Sequence, residues 1–146
     1  MSLRCQIPPG DNIKKTMASL FTKIINREIP AQIVAEDDRY IAFLDINPLV
    51  MGHTLAVPKK EVDYIFDLDD ETLIGLQLFS KKVAKAIRKS FPCDRIGIAV
   101  IGLEVPHTHV HLVPLNSMDD LNFTRRKLRP SPEELAAAAE KIRKNI

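Results

Sequence analysis

Apolar and polar positions along the chain follow two periods, one typical of strands and one typical of helices. Five short segments are rich in β-branched and aromatic residues and are bounded by Pro, Gly or Asp, a composition that favours strands. The acidic turn 36–39 joins the first two of them as a hairpin. The predicted strands are Ile33–Glu36, Tyr40–Leu44, Thr54–Val57, Arg95–Ile101 and His107–Val113.

One long amphipathic stretch predicts a helix over about 67–90. Acidic residues occupy its start and basic residues its end, an arrangement that suits the helix dipole. Shorter helices are predicted over Leu20–Asn26 and over about 132–144, the latter with Ser131 as its N-cap. The predicted buried stripe of the long helix is Leu73, Leu76, Leu78 or Phe79, Val83 and Ile87.

Strands that cluster with one long helix and one or two short helices predict an α+β fold. The sheet is expected to be five-stranded and mostly antiparallel. Residues 1–16 contain Pro8, Pro9 and Gly10 and show no periodicity, so we predict a flexible N-terminal extension there. The remaining residues, 17–146, are expected to form a single domain, which fits a length of 146 residues and a hydrophobic content of 45%.

Charge and composition narrow the classes of function. The chain has 21 basic and 19 acidic residues, a balance unlike that of a dedicated nucleic-acid-binding protein. No apolar run approaches the roughly 18 residues of a membrane span, and no secretory signal is visible. Cys5 and Cys93 form no Cys-x-x-Cys pair. We therefore expect a cytoplasmic protein without a disulfide, a nucleic-acid partner or a membrane partner.

Three of the four histidines stand at alternate positions, His107, His109 and His111. In a strand, alternate side chains share one face at a spacing of roughly 6.6 Å. The three imidazoles are therefore expected in a row, with His109 between two helpers. Near neutral pH an imidazole acts as a nucleophile, a proton carrier or a metal ligand.

Other interpretations of these residues stay open at this point. The row is also consistent with three partly exposed histidines on an open sheet face. It is consistent as well with two zinc ligands at Zn–N distances of about 2.0–2.1 Å, although no Cys lies nearby. His53 precedes a strand expected to pair beside the row, and it is either a surface or core residue without a role in the chemistry or a support for the row. Asp45 is either a turn cap or an acceptor for ribose hydroxyls. On composition alone Phe21 and Phe43 are core residues.

Taken together, these residues resemble the histidine triad (HIT) family. The family pattern is His-φ-His-φ-His-φ-φ, where φ is apolar, and this chain departs from it only at Thr108. The resemblance covers about 20–115 and points to the nucleoside phosphoramidase branch, whose members include histidine triad nucleotide-binding proteins. Four segments match that branch in order, namely 21–31, 36–38, 42–48 and 53–59.

The resemblance implies a HIT-like fold, often dimerised into one continuous sheet, that cleaves a bond at the α-phosphorus of a nucleoside monophosphate derivative. The implied substrate is a phosphoramidate or mixed anhydride of a purine nucleotide, AMP or GMP. His109 matches the nucleophile of a nucleotidyl-histidine intermediate, while His107, His111 and His53 match residues that assist it. The implied nucleotide-binding residues are Phe21, Phe43, Asp45, Ile46, Asn47, Gly102 and Glu104.

We accordingly expect a homodimeric enzyme that needs no metal and no other cofactor, because imidazoles and backbone N–H groups can carry the developing charge. The alternatives are a non-catalytic nucleotide-binding module, a dinucleoside polyphosphate hydrolase and a metal-dependent hydrolase.

The chain departs from the branch just before the triad. Gly102 matches, but Leu103 stands where Gln is expected and Glu104 where a hydroxyl is expected, in a shorter loop. Two neutral contacts to the phosphate or leaving group are thereby lost, and one carboxylate is gained. Either Glu104 becomes protonated beside the bound phosphate and donates to the leaving group, or it turns outward to solvent.

Overall fold

A single antiparallel sheet organises the chain in the computed structural model, which describes residues 18–146; the predicted flexible extension lies outside them. The strands are β1 (Ile33–Glu36), β2 (Tyr40–Leu44), β3 (Thr54–Pro58), β4 (Arg95–Ala99) and β5 (Val110–Leu115). Their order across the sheet is β1-β2-β3-β5-β4, and every neighbouring pair is antiparallel. Because Leu55 of β3 is the partner of His111 in β5, the start of β3 and the histidine stretch meet in mid-sheet.

Within residues 18–146, three α-helices accompany the sheet, namely α1 (Leu20–Ile25), α2 (Asp70–Ser90) and α3 (Pro132–Arg143). Each begins after an N-cap side chain that accepts a backbone N–H of the first turn, and these caps are Ser19, Asp69 and Ser131. The predicted α+β class with a five-stranded antiparallel sheet is therefore confirmed. Over residues 18–146, none of the helices has the length and apolar character needed to cross a membrane.

The two faces of the sheet bury different clusters. On one face, α2 and α3 pack against the larger core, to which Val110 and Leu112 belong. On the other face, residues of α1 join a smaller cluster that contains Phe43 and Leu55. Successive strand residues point to opposite faces. His111, which lies between Val110 and Leu112, therefore points to the α1 face.

The predicted strand over His107–Val113 is wrong at its start. The backbone N–H and the hydroxyl of Thr108 both donate to the carbonyl oxygen of Val62, each at 2.7 Å. These bonds draw the chain out of the ladder, so β5 begins only at Val110.

The far ends of β4 and β5 also differ from prediction. β5 continues through Pro114 to Leu115. A proline has no N–H to donate, but β3 pairs with β5 only as far as Leu112. The missing N–H of Pro114 therefore removes no hydrogen bond between β3 and β5. β4 ends at Ala99 rather than Ile101, since Ala99 is already paired with His111 close to the start of β5.

The long helix begins later than predicted. Residues 65–67 form a separate 3₁₀ turn, and the Asp69 carboxylate caps the helix that follows, so α2 starts at Asp70. Of the two alternatives for the buried stripe, Phe79 is buried and Leu78 is 63% exposed. Leu78 therefore lies on the surface of α2 rather than in the core.

Candidate active site

His53 and His111 form a hydrogen-bonded pair whose hydrogens can be assigned from their neighbours. The backbone N–H of Leu49 donates to Nδ1 of His53 at 3.1 Å, so the hydrogen of the neutral ring lies on Nε2. That Nε2 lies 2.9 Å from Nδ1 of His111 and donates to it. The neutral His111 ring consequently carries its own hydrogen on Nε2, as a donor for a ligand.

Burial keeps this pair neutral. The pKa of His53 falls from 6.5 to about 3, mainly through desolvation and with smaller effects from the charges of His111, Lys127 and His109. Desolvation is also the main reason that the pKa of His111 falls to about 4, with smaller effects from His109 and Lys127. Both rings therefore keep these hydrogens throughout the neutral pH range.

His109 has the opposite tautomer. Its Nδ1 lies 2.7 Å from the backbone carbonyl oxygen of His107, which can only accept, so Nδ1 carries the hydrogen. The lone pair of the neutral ring is then on Nε2, which makes no hydrogen bond within the described part of the chain. The ring packs edge-on against His111 and Phe21, with centroid distances of 4.9 Å in both pairs. These contacts hold the lone pair in one orientation.

His107 is bound into the protein on both sides of its ring. Nε2 donates to the carbonyl oxygen of Pro58 at 2.7 Å, and Nδ1 accepts from the hydroxyl of Ser19 at 2.8 Å. Burial lowers the pKa of His107, which favours this neutral form. The ring ties β3 to the start of α1, while the backbone carbonyl of the same residue orients His109.

The predicted base-lining residues fall into two groups. Phe21 and Phe43 are buried and pack edge-on at a centroid distance of 5.3 Å, with Phe21 supporting the His109 ring. Ile46 is 64% exposed. The two phenylalanines thus pack behind the histidines, and Ile46 is the member of this set whose side chain is exposed.

Asp45 and Asn47 lie at the open side of the histidine pair. One carboxylate oxygen of Asp45 accepts the backbone N–H of Asn47 at 2.9 Å, and the other lies 3.8 Å from Nε2 of His53. Burial raises the pKa of Asp45, against smaller opposing effects from its hydrogen bond to Asn47 and from Lys127. Asn47 is exposed. The second Asp45 oxygen is therefore placed beside the histidines.

The loop before the triad turns at Gly102, whose φ is +75°. A Cβ atom there would meet no atom within 4 Å, so the backbone angle, rather than lack of space, favours glycine. Leu103 and Glu104 are both exposed. Glu104 lies at the edge of a cleft of about 420 Å³ that Asp45 and Asn47 also line.

Several residues of this site carry no recognisable pattern in the sequence. The ring of Phe123 packs edge-on against His111 at a centroid distance of 4.8 Å. Glu61 accepts the backbone N–H of Ser19 at 2.6 Å and the hydroxyl of Thr22 at 2.8 Å, beside His107. The basic run 125–127 is visible in the sequence, but nothing there indicates that it lines a cleft beside the histidines.

Asp45, His53 and His111 are the group of potential metal ligands within residues 18–146, with one donor atom of each within 4.8 Å of the others. A metal shared by the two histidines would need lone pairs on both facing nitrogens. The Leu49 N–H instead directs the hydrogen of His53 into the space between them. The observed arrangement suits a hydrogen bond better than a metal.

Comparison with known proteins places the chain in a family. The family model described as HIT domain matches residues 26–118, and the chain belongs to that family. The resemblance drawn from the sequence is thereby confirmed.

Individual relatives extend the similarity over most of the chain. An uncharacterised HIT-like protein of Borreliella burgdorferi is 36% identical over 87% of this chain and 97% of its own length. Adenosine 5′-monophosphoramidase hnt1 of Schizosaccharomyces pombe is 33% identical over 89% of this chain and 99% of its own. The crystal structure of a Hit-like protein involved in cell-cycle regulation from Bartonella henselae has a TM-score of 0.77 at 35% identity, covering 88% of this chain and 96% of that one.

Proposed function

We propose that this protein hydrolyses a bond at the α-phosphorus of a purine nucleoside monophosphate derivative, through a nucleotidyl intermediate on His109. The observation that carries the proposal is the set of tautomers in the site. Among the four histidines, His109 alone combines a lone pair on Nε2 with no hydrogen-bond partner for it in residues 18–146. A neutral imidazole is a good nucleophile and also a good leaving group, which divides one difficult displacement into two easier ones.

The neighbouring groups supply the rest of the chemistry. When Nε2 of His109 forms its bond to phosphorus, the bond to the leaving group breaks and its electron pair departs with that group. The Nε2–H of His111 is placed to donate to a non-bridging oxygen as charge develops there. Water then attacks phosphorus, and the phosphorus–Nε2 bond breaks with its electron pair returning to the His109 ring. The proton that water loses balances the proton that the leaving group takes up from solvent. His53 acts through His111 by holding its tautomer.

We assign the ribose contact to Asp45 and apolar contact with the base to Ile46. The Asp45 oxygen beside His53 is the acceptor for a ribose hydroxyl, since its partner oxygen is held by the Asn47 N–H. Phe21 packs against the His109 ring, and Phe43 packs against Phe21. The relationship to the S. pombe protein named as an adenosine 5′-monophosphoramidase supports this choice of substrate class.

Incubation with an adenosine or guanosine phosphoramidate, with and without EDTA, tests the proposal. We expect release of AMP or GMP that chelation does not change. Binding without turnover would instead indicate a non-catalytic nucleotide-binding module, and loss of turnover with EDTA would indicate a metal-dependent hydrolase.

A variant separates chemistry from binding. His109→Ala is expected to lower turnover by about 10⁴-fold or more while AMP binds within about tenfold of the unaltered affinity. Rapid acid quench should trap a nucleotidyl adduct in the unaltered protein and none in the variant. Retention of more than a few per cent of the activity would show that His109 is not the nucleophile.

We further propose that the protein is a homodimer joined through β4. This strand is an edge of the sheet, and exposed apolar side chains surround it. A shallow groove of about 610 Å³ there includes Phe66, Ile74, Leu78 and Ile98. A second copy of β4 would pair with the open edge while these side chains pack together.

Light scattering during gel filtration tests the dimer. Leu78→Glu is expected to convert dimer to monomer, whereas Ala137→Glu, at an exposed site on α3, should leave the mass unchanged. A monomeric unaltered protein would contradict this proposal. A cytoplasmic location stays a prediction from the sequence.

A further inference from the structure

A basic cleft adjoins the histidine pair. Four cationic side chains line it, and two carboxylates, those of Asp45 and Glu104, lie among them. Its volume of about 420 Å³ is within the range of small-molecule sites. The four cationic residues are Arg125, Arg126, Lys127 and Arg129.

The segment that supplies these cations, residues 122–129, is anchored at three points. The ring of Phe123 packs against His111, and the backbone N–H of Leu128 donates to the carbonyl oxygen of Pro48 at 2.9 Å. Between them, the Arg125 guanidinium donates to the carbonyl oxygen of Leu49. The same Pro48–His53 loop carries the Leu49 N–H that sets the His53 tautomer. The cations are therefore held beside the site by the loop that orients its histidines.

The cations have different environments. Arg125 pairs with Asp119 at 3.1 Å and with Asp120 at 3.4 Å, so its charge is largely compensated. Within residues 18–146, Arg126, Lys127 and Arg129 form no ion pair. Lys127 is close enough to lower the pKa of Asp45, His53 and His111. The carboxylates of Asp45 and Glu104 offset part of the charge of Arg126, Lys127 and Arg129, and the cleft keeps a net positive charge that suits an anion.

We propose that the basic cleft is a subsite for a second phosphate group of the nucleotide, with Lys127 and Arg126 as its main ligands. The proposal rests on the proposed function, because the first phosphate is the one at His109. Phosphate oxygens accept charge-assisted hydrogen bonds from both side chains. The second phosphate is either attached to the α-phosphate or carried on the ribose, and the two sources share this chemistry.

Calorimetric titration of the unaltered protein distinguishes these cases. The ligands are AMP, α,β-methylene-ADP, in which a methylene group replaces the bridging oxygen, and adenosine 3′,5′-bisphosphate. We expect at least one of the two doubly phosphorylated ligands to bind about tenfold or more tightly than AMP. A gain with the methylene analogue places the second phosphate on the leaving-group side, and a gain with the bisphosphate places it on the ribose side.

Two matched double variants then test the residues. Arg126→Gln with Lys127→Gln should reduce the gain, measured relative to AMP in the same variant, to less than about threefold. Lys81→Gln with Lys82→Gln removes the same net charge from exposed positions on α2 and should leave the gain intact. Equal affinity for all three ligands, or an equal effect of both double variants, would overturn the subsite. Failure of AMP itself to bind would contradict the proposed function.

Discussion

The buried His53 ring predicts a specific pH dependence of stability. In the unfolded chain this ring takes up a proton as the pH falls through 6.5, whereas in the folded protein it does so only near pH 3. Between these values the unfolded state binds more protons, so the free energy of unfolding decreases as the pH falls. At about pH 5 the unfolded ring is almost fully protonated and the folded ring is neutral.

The size of the effect follows from this difference. Protonation of the unfolded ring lowers the free energy of unfolding by about 1.36 kcal/mol for each pH unit below 6.5. At about pH 5 the free energy of unfolding is therefore about 2 kcal/mol lower than at about pH 8. This value hardly depends on how far below 5 the folded pKa lies. His111, with a folded pKa of about 4, contributes a similar amount by the same reasoning.

Urea unfolding followed by far-ultraviolet circular dichroism, at about pH 8 and about pH 5, measures this effect. His53→Gln removes the titrating ring and keeps an N–H donor for His111. We expect the loss of unfolding free energy between the two pH values to be about 2 kcal/mol smaller in this variant than in the unaltered protein. Ile87→Val in the core of α2 is the control, because it should destabilise by about 0.5–1.5 kcal/mol at both pH values.

An equal pH-dependent loss in His53→Gln and in the unaltered protein would refute the reasoning. It would mean that the folded ring titrates near its ordinary value, so that neither its burial nor its bond from Leu49 keeps it neutral. Nitrogen-15 NMR provides an independent check, since it should detect hydrogen on Nε2 of His53 and His111 and on Nδ1 of His109.

Four further substitutions test other parts of the site. Asp45→Ala should weaken nucleotides by about 1.5–3 kcal/mol more than their 2′,3′-dideoxy analogues in a binding titration, and equal weakening would make Asp45 only a turn cap. Ser19→Ala should lower the free energy of unfolding by about 0.5–2 kcal/mol through loss of the α1 cap, and should slow turnover by freeing His107; unchanged turnover would argue against the second effect. Gly102→Ala should cost about 1–2 kcal/mol in unfolding experiments because of its positive φ, and a neutral result would contradict a backbone requirement. Glu104→Gln should leave the pH–rate profile unchanged with an equal or higher rate, since Glu104 is exposed, whereas loss of the basic limb would identify it as the proton donor.

In the histidine stretch, the alternation typical of a strand predicts the side-chain directions of some residues and not of others. Alternation correctly predicts that Val110 and Leu112 are buried on one face and that His111 lies on the other. It does not extend to His107, because the backbone of Thr108 is bound to Val62 and leaves the ladder. Local preference favours a longer strand here, but a hydrogen bond to a distant part of the chain decides where pairing starts.

The sequence by itself determines the features that depend on neighbouring residues. Helix caps such as Ser131, the strand of apolar residues in β2 and the alternation of the triad are local patterns. Together with the matching segments, they were sufficient to predict the fold class and the family. The residues proposed to act on the α-phosphorus and the ribose are also predicted from the sequence, with His109 at their centre, whereas Arg126 and Lys127 of the basic cleft are not.

Only the tertiary structure decides the chemical state of His107 and His111. The partners that assign their hydrogens lie far along the chain, since His107 is 49 residues from Pro58 and 88 from Ser19, and His111 is 58 from His53. The hydrogens of His53 and His109 are assigned by nearer backbone groups, those of Leu49 and His107. The basic cleft depends in the same way on contacts between segment 122–129 and the loop before β3. A ring nitrogen becomes donor or acceptor according to the group that faces it, and chain folding alone sets which group that is.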